Sequence, residues 1–83
     1  MKFVLMPQDW YKRRNKPVED MILGFEVIGF KKVEDTYCKM KVTFEDLGEV
    51  ELDAFIQYYP KYNKWTVHGM NEKGISVLAR LVE

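Results

Sequence analysis

The chain holds one cysteine, one histidine, one serine and three prolines, and its thirteen Lys/Arg are cancelled by thirteen Asp/Glu. A single thiol, Cys38, closes no intrachain disulfide, which makes a reducing, cytoplasmic setting the default expectation. One His and one Cys are too few for a zinc shell, and one Ser beside them assembles no catalytic triad, so no metal, no cofactor and no catalytic residue are assigned. Zero formal charge gives little long-range pull on polyanions or anionic lipid, and equally little repulsion between copies of the chain. No apolar run reaches the roughly 18 residues of a membrane-spanning helix, so no membrane partner is expected, and no small-molecule substrate is evident. Gly24, Gly29 and Gly48 match neither a dinucleotide-binding fingerprint nor a phosphate loop.

What is present is apolar surface in abundance. Eighty-three residues with 47% hydrophobic and 14% aromatic content can drive collapse around one core, and they leave no room for a second domain, so residues 1–83 are read as one unit. The charges are unevenly placed. Residues 1–44 carry nine Lys/Arg against six Asp/Glu, and residues 45–83 carry four against seven.

Alternation is strongest between Tyr37 and Tyr59. Cys38, Met40, Val42 and Phe44 fall on one face and Tyr37, Lys39, Lys41 and Thr43 on the other, which is a strand with one buried side. After residues 46–48 the pattern resumes, with Val50, Leu52, Ala54, Ile56 and Tyr58 inward and Glu49, Glu51, Asp53, Phe55, Gln57 and Tyr59 outward. A two-residue loop would bring Glu51 and Asp53 into the core row at several kcal/mol apiece. A three-residue loop over 46–48, with Gly48 left-handed, instead pairs Phe44 with Val50, Val42 with Leu52, Met40 with Ala54, Cys38 with Ile56 and Lys41 with Asp53. A four-residue loop over 60–63 pairs Tyr58 with Trp65, Ile56 with Val67 and Ala54 with Gly69.

The C-terminal segment, residues 72–83, admits a helix capped by Asn71, with Ile75, Leu78, Ala79 and Val82 on one face, or a further strand. Gly74 costs the helix about 1 kcal/mol relative to alanine. The strand, which pairs Trp65 with Leu81, Val67 with Ala79 and Gly69 with Val77, is favoured. Residues 25–33 read as a strand ahead of this meander, with two registers open at 34–36. Residues 17–23 read as a short helix with Pro17 at its start, and residues 3–6 as an opening strand. The expected fold is therefore mainly β: an antiparallel meander of five to six strands curled into a small barrel or half-barrel, with one short helix.

Two surfaces draw attention. The first is an outward row of Lys39, Phe55, His68 and Leu78, flanked by Tyr37, Gln57, Tyr59, Thr66 and Arg80, which puts rings on a face that alternation makes polar. Either residues 10–23 pack across that row or it meets a partner, and Tyr, Phe and Arg are the residue types that dominate interface energy. A non-catalytic protein-binding or regulatory module, with Phe55, Tyr59, His68, Tyr37, Lys39 and Arg80 as contacts, is the leading expectation, and self-association falls within it. The second surface is Trp10, Tyr11, Lys12, Arg13, Arg14 and Lys16, cations preceded by two rings, which suits a single-stranded DNA or RNA binder and is the alternative. Cys38 and His68 are expected on opposite faces, which separates the one thiol from the one imidazole. The carboxylates at 45–53 are expected to form a solvated face, with weak calcium binding as the functional alternative.

Overall fold

The computed structural model describes residues 2–7, 12–13 and 16–82, and of Lys12 and Arg13 it describes the backbone. The chain runs β1 (Lys2–Leu5), β2 (Lys12–Arg13), β3 (Lys16–Pro17), a 3₁₀ turn (Val18–Met21), β4 (Ile22–Ile28), β5 (Thr36–Phe44), β6 (Gly48–Tyr59), a second 3₁₀ turn (Pro60–Tyr62), β7 (Lys64–Met70) and β8 (Ser76–Val82). β2 and β3 form a two-stranded ribbon, and the other six strands make one antiparallel sheet in the order β1-β8-β7-β6-β5-β4. That sheet curls until it is nearly closed into a barrel.

The strands are where alternation puts them, and the inward side chains build the core. Met40, Val42 and Phe44 of β5, Leu52, Ala54 and Ile56 of β6, Val67 of β7 and Val77 and Ala79 of β8 are buried. Each large member of this set contributes roughly 1.5–3 kcal/mol by leaving water. The segment expected as a short helix at 17–23 makes a single 3₁₀ turn and is already strand at Ile22; that turn sends Val18 and Met21 into the same core. The strand expected over 25–33 starts earlier and stops at Ile28, because Gly29 takes φ +78°, and Phe30 beyond it turns inward.

The β5–β6 hairpin corrects one derived detail. Its turn occupies residues 45–47, and the pairs are Phe44 with Gly48, Val42 with Val50, Met40 with Leu52, Cys38 with Ala54 and Lys39 with Asp53. This register differs by two residues from the expected one. An even shift leaves every side chain on its own face, so burial alone does not choose between the two. The choice is made elsewhere: the Glu45 N–H donates to the Met21 carbonyl at 2.9 Å, which takes Glu45 out of the hairpin ladder. Gly48 still supplies the left-handed residue, at φ +72°.

The β6–β7 pairing is Tyr58 with Trp65, Ile56 with Val67 and Ala54 with Gly69, as the loop at 60–63 requires, with Asn63 at φ 50° closing it. β8 is a strand, with Val67 opposite Ala79 and Gly69 opposite Val77. The Asn71 side chain makes the turn before it by accepting the N–H groups of Lys73 and Ile75, each at 3.0 Å. Those two bonds do the work of a helix cap for a chain that instead turns back on itself.

β1 pairs with β8 on one border and β4 lies on the other. No ladder between β1 and β4 occurs among the described residues, so the barrel keeps a seam. Phe30 packs across it, edge-to-face with Phe3 at 5.1 Å and with Trp65 at 6.2 Å between ring centroids, and Trp65 in turn meets Tyr58 at 4.9 Å.

Candidate outer-face binding site

Outward side chains of neighbouring strands stand in rows. The two-residue shift in the β5–β6 register sets Tyr37, not Lys39, opposite Phe55, and His68 and Leu78 continue the row across β7 and β8. Tyr37 and Phe55 meet edge-to-face with centroids 5.2 Å apart. Lys39 belongs to the next row, where its ammonium bonds Oδ1 of Asp53 and lies 3.9 Å from Oε1 of Glu51. The hydrogen bond from Lys39 to Asp53, and then the charge of that carboxylate, raise the lysine pKa above its ordinary value.

The outer face is covered unevenly. Thr66 and Ser76 point outward by alternation yet are buried, and Phe55, His68 and Leu78 are half-buried. Tyr37 is 74% exposed and Met70 53%. Between these two zones lies an open hollow of about 430 Å³, lined by Tyr37, Asp53, Phe55, Gln57, His68 and Met70. Its floor is the ladder of β5, β6 and β7, so its side chains stand on rigid backbone.

Of the six residues expected to touch a partner, Tyr37, Phe55 and His68 line the hollow. Lys39 stands behind Asp53. Arg80 lies opposite Thr66 and Tyr59 opposite Lys64, both away from it, and the Tyr59 hydroxyl donates to Oε1 of Gln57 at 3.3 Å. Gln57, expected to flank the row, lines it too, and Met70 and Asp53 are the additions. Both follow from parity, since Met70 shares the outward side of β7 with His68, and the β6–β7 register expected from the sequence already sets Asp53 opposite Met70.

Among the described residues the titratable groups offer no exposed nucleophile. Cys38 faces the core, where burial pushes its thiol pKa up. Nε2 of His68 is 2.5 Å from Oγ of Ser76, and partial burial lowers the imidazole pKa. Serine beside imidazole is the beginning of a nucleophile and base pair. Ser76, however, is buried, so its oxygen has no open approach for a carbonyl substrate, and the contact fits orientation of the ring. Among the described residues no group of three His, Cys, Asp or Glu side chains is placed to hold a metal ion. No helix among them is long and apolar enough to cross a membrane.

The basic surface is only partly described. Trp10, Tyr11 and Arg14 lie outside the described residues, and Lys12 and Arg13 are placed by backbone pairing with Pro17 and Lys16. Lys16 is exposed, with its ammonium 3.4 Å from Oε1 of Glu45. Further hollows occur at the seam beside Phe3, Phe25 and Phe30 and between the turns at 45–47 and 71–75. Comparison with protein-family models, with curated proteins and with solved structures finds no match for this chain, so the geometry of the outer face carries the functional reading.

Proposed function

We propose that this protein is a non-catalytic protein-binding module, and that its docking element is the outer face of β5, β6 and β7 around Tyr37, Phe55, His68 and Met70. One observation carries the reading: a tyrosine ring 74% exposed and a thioether 53% exposed flank a half-buried phenylalanine on a preformed sheet. Aromatic and methionine side chains held rigidly lose little entropy on binding, and they are the types enriched at the centres of interfaces. The single-strand nucleic-acid alternative would use the same rings for base stacking. It is disfavoured by the carboxylates of Glu49, Glu51 and Asp53 on the outward side of β6, which repel phosphate.

The test is selection from a random peptide library followed by NMR mapping of the selected peptide. Binding shifts confined to Tyr37, Phe55, His68 and Met70, and lost in Tyr37→Ala with an unchanged melting temperature, support the reading. Shifts elsewhere, or a labelled oligonucleotide that displaces the peptide and binds with a steep salt dependence, overturn it. Light scattering reports whether a second copy is the occupant.

A further inference from the structure

We infer that the hollow receives a cationic side chain, an arginine or lysine of the protein partner, held over the Tyr37 and Phe55 rings with Asp53 as its counter-charge. The inference rests on the docking reading above and specifies the chemistry of what docks. Among the six residues that line the hollow, Asp53 is the one carboxylate, and partial burial disfavours the charged form of His68. The other walls are two rings, a thioether and an amide. Ring faces carry negative potential, so a cation seated against them gains from the quadrupole as well as from the carboxylate. Such a contact occurs among the described residues, where the ammonium of Lys61 lies 5.5 Å from the ring centroid of Tyr62.

The carboxylate is available for this role although Lys39 already bonds it. Lys39 reaches Oδ1, while a carboxylate has two oxygens and about four acceptor positions. The Asp53 side chain is 72% exposed, so an incoming guanidinium has an open path to it. Should a fork-shaped guanidinium take both oxygens, Lys39 keeps a second carboxylate in Glu51, 3.9 Å away. An anionic side chain would meet the same carboxylate with like charge and no neighbouring uncompensated cation in the lining. A purely apolar side chain would cover the second carboxylate oxygen of Asp53 and supply it no donor.

The experiment uses four capped tripeptides with a central arginine, citrulline, phenylalanine or glutamate, titrated into the full chain labelled at methionine methyls and aromatic carbons. The arginine peptide is expected to shift the Met70 methyl and the Tyr37 and Phe55 rings saturably, and citrulline, equal in shape but neutral, to bind about tenfold more weakly or not at all. Asp53→Asn should remove the preference for arginine over citrulline while leaving the fold intact, as judged by unchanged core methyl shifts. Equal binding of arginine, citrulline and phenylalanine peptides at the hollow overturns the cation inference and leaves the docking face standing. Absence of shifts at the hollow with all four peptides overturns the cation inference, and a failed library selection would be needed to bring down the docking reading as well.

Discussion

Phe30 and Phe3 meet edge-to-face at 5.1 Å across the gap between the two unpaired borders of the sheet. The backbone forms no ladder between β1 and β4, so ring packing does there what hydrogen bonds do elsewhere in the barrel. Phe30 also reaches Trp65 on β7, which makes it a plug for one end of the core. Phe30→Ala is therefore expected to destabilise the protein by about 3 kcal/mol or more. A urea titration of the variant measures it, and a loss below about 1 kcal/mol would show that the seam is held by something other than this ring.

Gly69 sits inward on β7, and a methyl group placed there would lie 3.2 Å from Cδ1 of Leu52 and 3.3 Å from Sδ of Met40. Both neighbours are fully buried, so neither has solvent to move into. Gly69→Ala should cost about 1–3 kcal/mol by overpacking. Gly24→Ala on β4, where nothing lies within 4 Å, is the control, expected within about 0.5 kcal/mol of the parent. Equal effects of the two substitutions in thermal unfolding would contradict the packing argument.

His68 gives the stability a pH dependence of definite sign. Partial burial lowers its pKa below the ordinary value, so in acid the unfolded chain binds a proton that the folded chain resists. The contribution is complete above the unfolded pKa, near 6.5, and is lost as the pH falls through the lower folded value. Between neutral pH and about pH 5 the parent should lose more stability than His68→Gln, which has no proton to gain. Parallel stability curves for the two proteins over that range would refute the assignment.

The thiol of Cys38 is buried and its pKa is raised, and both effects suppress the reactive thiolate. Labelling with an aromatic disulfide reagent should be slow in the native protein and fast in denaturant, with the native rate falling when stability is raised. Rapid native labelling would place the sulfur in contact with solvent.

The interior was largely legible in the sequence because β5 to β8 alternate without interruption, and the four-residue turn at 60–63 left a single workable pairing for β6 and β7. Residues 25–33 misled because Val33 and Ile28 look alike in composition, whereas the chain leaves the sheet at Gly29 to bring Phe30 inside. The β5–β6 register was out of reach for a different reason. Two pairings that differ by two residues bury the same side chains, and the deciding hydrogen bond, from Glu45 to Met21, joins distant parts of the chain. That offset moved the candidate site: it brought Tyr37 to Phe55, and it drew Lys39 away. Coverage of the outer face was equally hidden, since alternation marks Thr66 and Tyr37 alike as outward although one is buried and the other is not.

The unzipped side of the barrel orders the way the molecule comes apart. β4 and β1 each hold one ladder where β6 and β7 hold two, so amide protons in the border strands should trade for deuterium first, through small openings that leave the centre intact. The amide protons of β6 and β7 beneath Phe55 and His68 would be among the last to exchange, which places the rings of the outer hollow on the slowest-opening ground in the protein.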